Sequence, residues 1–454
     1  MLRRSLLLLL SLALRGQTPA WDYAARLDAS ASLLTVEARF APEDADRFTI
    51  DDGCAPFVKG LEREEDGRWS ELRRDGDGWD LEGAEDSGAH LRWTFDLAGA
   101  AKAQRRLSGP RGRDGVWLAR PSSFLLRPAR YQPDRRARLR MALPEGLVFL
   151  SGLHRGADPD SWEASTDDFD DPPYSALGRW RIHRVEVAGG LVEVAEPASG
   201  IPMQPSQADA WIHRATGLLA TAYGRFPVHR AALILTPTER GRGVLFGTAS
   251  GHGGAGVIVL LGGSVSESDL DKDWVLTHEL IHLAVPDLAS AHRWLEEGIP
   301  TYLEPLLRLR AGRLDPAAYW SELRSNLPKG QPAAGDEGLD RTPTWGRTYW
   351  GGALFCFLAD LQIRERSSGH KTLLDALRGI VDSGQTAEQR GHIRDVLRAG
   401  DRALGFRVLV PLYERMARAP APADLEGIWN RLGLGPGSFD DAAPEAGLRR
   451  AWGR

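Results

Sequence analysis

The chain has 454 residues, 42% hydrophobic and 26% charged, which is enough apolar content for a folded core and too much length for one ordinary domain. Fifteen Trp and 50 Gly without a period exclude a coiled coil, a collagen-like chain and a solenoid. Two cysteines, Cys54 and Cys356, exclude a disulfide scaffold or a thiolate zinc cluster, and a formal charge of −5 gives no reason to expect nucleic acid as a partner.

At the amino terminus Arg3 and Arg4 precede an apolar stretch, Leu6 to Leu14, and small residues follow at Thr18-Pro19-Ala20. This reads as an export signal over residues 1–20, and the expected location is periplasmic or extracellular. The stretch is too short to span a bilayer, no Cys follows it for lipid attachment, and no other segment reaches spanning length.

Residues 21–198 read as strands. Leu91, Trp93, Phe95 and Leu97 share one face, with Arg92, Thr94 and Asp96 on the other, and Leu139, Met141 and Leu143 repeat the alternation. Trp180–Val187 and Leu191–Val194 flank Ala188-Gly189-Gly190 and predict a hairpin, while Asp158 to Asp171 reads as acidic loop at the rim. Near Pro202 the period changes. Ser206–Tyr223 reads as a helix closed by Gly224, Ala231–Leu235 as a short buried strand, and Gly243–Ser250 and Gly256–Leu261 as two more strands. From Asp269 helices dominate, including Trp350–Arg364, Thr372–Val381, Ala387–Leu397 and Leu425–Leu432. The expected fold class is α+β: a β-sandwich-like domain over 21–198, a small mixed sheet with helices over 199–365, and a helical region over 366–454.

Chemistry concentrates in Trp274-Val-Leu-Thr-His278-Glu279-Leu-Ile-His282. Helical positions four apart share a face, so His278 and His282 can offer imidazole nitrogens to one ion with Glu279 beside it. A catalytic zinc needs a third protein ligand and an open position for water. Trp294-Leu-Glu-Glu297-Gly298-Ile-Pro-Thr-Tyr302 supplies a second helix fifteen residues past His282 that can bring Glu297 back; Glu296, about 100° around that helix, is the rival.

With these two helices the sequence resembles the gluzincin metallopeptidases, specifically the glycyl aminopeptidase-like group and its alanyl/leucyl aminopeptidase relatives, which pair a His-Glu-x-x-His helix with a Trp-Leu-x-Glu-Gly-x-x-x-Tyr helix. The metzincin pattern fails, because Leu288 stands where its third His would be. The resemblance implies a thermolysin-like catalytic domain, zinc on His278, His282 and Glu297, and Glu279 as the base. Thr348-Tyr349-Trp350-Gly351 resembles the relatives' Tyr-x-Lys-Gly segment, which implies Tyr349 as an oxyanion donor, with Gly351 in place of the Lys. Glu304, two helical turns past Glu297, can reach His278 from behind and orient its ring. In the relatives a Gly-rich edge strand holds the substrate backbone, a role that maps here onto Gly253, Gly254, Ala255, Gly256 and Val257. The relatives also carry in that strand a Glu for the substrate's free amine, and no acid occurs between Gly241 and Val265.

The expected activity is hydrolysis of peptide bonds by an exported zinc metallopeptidase, as an aminopeptidase. The competing readings are an endopeptidase and a non-catalytic metal-bound scaffold that binds peptides or proteins. Cys356, on an apolar face, reads as packing, and His252 as a loop residue.

Overall fold

The computed structural model describes residues 18–44, 46–81, 88–103 and 109–454; of the export segment expected over residues 1–20, all but the last three lie outside the described residues. Alternation in the front half does what it implies. In Ala89–Asp96 every second side chain is buried, so Leu91, Trp93 and Phe95 enter the core while Arg92 and Thr94 face outward. The strand sits in an eight-stranded sheet between Leu33–Phe40 and Val58–Glu65. Trp21–Leu27 pairs antiparallel with Leu33–Phe40 and parallel with Arg136–Ala142, which brings Leu139 and Met141 onto the same buried face. A four-stranded sheet containing Val148–Ser151, Ser175–Gly178 and Val116–Ala119 supplies Phe149, Leu177 and Trp117 to the same core. The stretch expected as acidic loop carries a strand, Ser161–Ser165, and a short helix, Thr166–Asp170, whose cap is the Ser165 hydroxyl on Asp168 N–H.

The second unit is built on a five-stranded sheet in the order Trp180–Val187, Gly190–Pro197, Arg230–Pro237, Gly256–Leu261, Val244–Ser250. The predicted hairpin is present, with Val187 opposite Gly190, but Gly190–Pro197 pairs parallel with Arg230–Pro237. Both its strands therefore belong to this sheet, which begins at Trp180 rather than after residue 198. The three inner strands of the sheet are buried on both faces. Leu233, Leu235, Val257 and Val259 pack beneath helices on one side, whereas Ala232, Ile234 and Ile258 pack on the other against Leu118, Leu150 and Tyr174 of the front unit. Two covered faces are the reason these strands read as unbroken apolar runs.

The helix Pro205–Tyr223 connects two of these strands, starting at a Gln204–Gln207 capping box and ending at Gly224. Helices Leu373–Asp382, Ile393–Leu404, Leu409–Met416 and Leu425–Leu432 share one continuous core with the sheet's helical side, so the carboxy-terminal region does not pack as a separate unit. The helix expected over Ala387–Leu397 starts only at Ile393. Its first residues are used otherwise: Gln389 C=O accepts from Asp287 N–H at 3.0 Å, and Gly391 N–H donates to Asp287 C=O at 2.7 Å. Among the described residues no helix is long and apolar enough to cross a membrane.

Candidate active site and metal centre

The helix Val275–His282 is buried along nearly its whole length, with Leu276, Leu280 and Ile281 in the core against the sheet. Its start is fixed by Asp273, whose carboxylate accepts from the backbone N–H of Val275 and Leu276 and from the indole of Trp211. His278 and His282 then lie one turn apart with ring centroids 5.2 Å from each other. The helix Arg293–Arg310 crosses in front and carries Glu297 to them: Glu297 Oε2 is 3.8 Å from His278 Nε2 and 3.7 Å from His282 Nε2.

One ligand atom from each of the three residues lies within 4.8 Å of the others. Tetrahedral bonds of about 2.0–2.1 Å would place the ligand atoms roughly 3.3–3.4 Å apart, so a small contraction suits the triad to zinc. Protonation fits as well. Burial, followed by the neighbouring His278, pushes His282 down to about 4 and leaves its imidazole neutral with a free lone pair. Burial alone would raise Glu297, but the neighbouring imidazoles of His278 and His282 outweigh it and hold it below its ordinary value, so it presents an anion.

Glu279 lies beside the triad. Burial first, then the negative charge of Glu297, pushes its carboxyl up to about 8, against a downward pull from Ala249 N–H. A carboxylate so destabilised as an anion is a proton acceptor of the strength a base needs near neutral pH. Tyr349 lines the same cleft, half-buried; burial, followed by the negative charge of Glu297, raises its pKa, so the phenol stays protonated. It projects from a π-helical turn, Gly346–Gly351, that the sequence reading does not contain, and such turns recur at functional sites. Two close approaches put it there. A Cβ on Gly298 would fall 2.3 Å from the Gly352 carbonyl carbon, and one on Gly352 would fall 1.9 Å from Trp294 O, so the two helices touch backbone to backbone.

The edge strand is not the expected one. Gly256–Leu261 is flanked on both sides, by Arg230–Pro237 and by Val244–Ser250. Of the glycines before it, Gly254 sits at φ 149°, where a Cβ would strike Gly152 O. Gly253 C=O accepts from His154 N–H, and Ala255 N–H donates to Gly152 C=O, so Gly253, Gly254 and Ala255 join the sheet to the front unit. Gly256 and Val257 are buried strand residues. The strand open to the cleft is Val244–Ser250, and Gly247 and Ala249 line it beside Glu279. Glu304 is also corrected. Its carboxylate is taken by Arg308, Nε to Oε1 at 2.5 Å and Nη2 to Oε2 at 3.3 Å, rather than by His278. Glu296 accepts from Leu288 N–H at 2.6 Å and leaves the ligand position to Glu297.

The cleft around the triad measures about 1170 Å³. Leu245, Phe246, Trp274 and Trp345 line it and are exposed, with Trp274 edge-on to His278 at 5.5 Å. His252 does reach it, 3.8 Å from Asp171 and 3.9 Å from Asp287. Cys54 and Cys356 are both buried.

No protein-family model matches the sequence, and comparison with curated proteins returns no match. Solved structures do match. An aminopeptidase N family protein from Idiomarina loihiensis superposes with a TM-score of 0.66 at 15% identity, over 90% of this chain and 78% of its own. An M1 zinc metallopeptidase from Deinococcus radiodurans gives 0.51 at 14%, over 89% and 94%. A mutant of the Deinococcus enzyme bound to a Tyr-Ser-Ala substrate gives 0.52 at 15%, over 89% and 95%. The α+β fold expected from the strand and helix pattern is thus present, and it is the fold of the M1 zinc metallopeptidases.

Proposed function

We propose that this chain is an exported zinc-dependent metallopeptidase that hydrolyses peptide bonds as an aminopeptidase. One observation carries the reading: two imidazoles and the Glu297 carboxylate converge within 4.8 Å in a cleft that also holds Glu279 and Tyr349. Zinc bound there would supply Lewis acidity and a water acidic enough to be a nucleophile at neutral pH. Glu279 takes the proton of the attacking water and returns it to the leaving amine. Tyr349 donates its hydroxyl to the oxygen that gains charge during attack. The open side of Val244–Ser250 holds the peptide backbone extended beside Glu279. Export rests on residues 1–20, and cell fractionation with amino-terminal sequencing of the mature chain tests it.

The Deinococcus enzyme's peptide substrate supports the choice of peptides. The endopeptidase reading has its own support, because Val244–Ser250 contains no acid to hold a free amine. Turnover of free and amino-terminally blocked peptides separates the two. For the catalytic assignment, Glu279→Gln with zinc still bound is expected to abolish turnover. Retained activity refutes Glu279 as the base, and a zinc-loaded wild type that cuts no peptide leaves the scaffold reading.

A further inference from the structure

We propose that a side cavity of about 290 Å³ opening off the cleft is the subsite that selects the substrate's side chain, and that it accepts a large apolar or aromatic one. The inference rests on the peptidase reading and adds to it a substrate class. Ser290, Arg293, Trp345 and Tyr349 line both the cavity and the main cleft. Since Arg293, which lines the cavity, lies 3.6 Å from the ligand Glu297, a peptide lying across the triad brings a neighbouring side chain to the cavity mouth.

The walls define the chemistry. Trp294 and Leu339 are buried and form the floor, and Ala291, Pro343 and Trp345 form the sides. The floor is preorganised: Trp294 donates its indole N–H to Asp340 at 2.9 Å and packs edge-on to Phe355 at 5.1 Å. Trp345 is 62% exposed, inclined to Tyr349 at 5.9 Å, and an apolar ring left in water at the edge of a cavity gains most by burial against an apolar ligand. No carboxylate lines the cavity; its charged lining residue is Arg293, whose Nη2 is 3.6 Å from Glu297 Oε1. A lysine or arginine side chain would meet a like charge there with no carboxylate in the lining to pair with, whereas an aromatic ring can offer its face to the guanidinium. Recognition through the side chain also suits an edge strand without an amine-binding acid.

The test uses the zinc-loaded protein and peptides that differ only in the residue beside the scissile bond. Phe is expected to exceed Ala at least tenfold in kcat/KM, and Lys to fall below Ala. Ala291→Trp fills the cavity and is expected to lower the Phe-to-Ala ratio at least tenfold; Trp345→Ala, at an exposed position, provides the same readout if the first variant does not fold. An unchanged ratio, or a wild-type preference for Lys, overturns the proposal. If no peptide is hydrolysed the peptidase reading fails by itself, and calorimetric titration with L-phenylalaninamide and L-lysinamide decides the cavity. Binding of the first, weakened at least tenfold in Ala291→Trp, supports the subsite. Absent or unaltered binding overturns it.

Discussion

Glu279 is packed so closely under Gly247 that a Cβ built on the glycine would fall 2.3 Å from Glu279 Cγ and 2.9 Å from Val275 Cγ1. The edge strand therefore does two things: it leaves one side open to the cleft, and it fixes where the base can stand. Gly247→Ala would drive the carboxylate out of place without touching His278, His282 or Glu297. Misplacement of about 1 Å can cost on the order of a hundredfold in rate. The expected result is a kcat lower by roughly that factor, with zinc content and circular dichroism unchanged, and loss of zinc would show that the strand supports the ligands instead.

Tyr349→Phe removes a hydroxyl from the cleft that holds the triad and Glu279. Loss of one oxyanion donor is expected to lower kcat roughly tenfold or more with little change in KM. A change confined to KM would make Tyr349 a binding residue.

The ligands are legible in the sequence because their geometry is mostly local. A four-residue spacing fixes His278 and His282 on one face, and an apolar pattern around each helix fixes which face is buried. Placement of Glu304 fails for the opposite reason: two turns of helix put it on the expected face, but Arg308 one turn further competes for its carboxylate. Strand order is a property of the assembled sheet, so the glycines before Gly256 read as an edge when they are a junction with Gly152 and His154. A signal existed nonetheless. Gly256-Val-Ile-Val-Leu-Leu261 is apolar on both faces, the mark of an interior strand, whereas Val244–Ser250 mixes exposed Leu245 and Phe246 with glycine and polar residues. The π-helical turn under Tyr349 has no comparable signal, because it depends on contact between Gly298 and Gly352, more than fifty positions apart.

Arg230 ties the two units together and sets a limit on acid stability. It donates to the carbonyls of Ser151 and Leu153 in the front unit and pairs with buried Glu193 at 2.6 Å, which Arg155 also approaches at 3.3 Å. Burial would raise the Glu193 pKa, but Arg230 and then Arg155 outweigh it and hold it below 4.5. Because the folded value is the lower one, the contribution is full above about pH 4.5 and is lost as pH falls through the folded value. Glu193→Gln leaves the guanidinium without its counter-ion and is expected to cost about 3 kcal/mol at pH 7, read by urea unfolding. The difference from wild type should shrink below pH 4.5; a constant difference would place the effect in packing.

Removing the metal separates what zinc does for the fold from what it does for the reaction. The triad joins the helices Val275–His282 and Arg293–Arg310, but both already pack in the continuous core through Leu276, Leu280, Leu303 and Leu306. Neither helix needs an ion to find its place. Chelation is therefore expected to abolish peptide turnover while leaving the circular dichroism spectrum intact, and one equivalent of zinc should restore activity. Because the ion binds the folded chain, free zinc at a hundredfold over its dissociation constant should add about 2.7 kcal/mol to unfolding stability, a gain that His282→Ala largely removes. Unfolding on chelation would instead make the ion structural, and undiminished turnover would exclude the triad from catalysis.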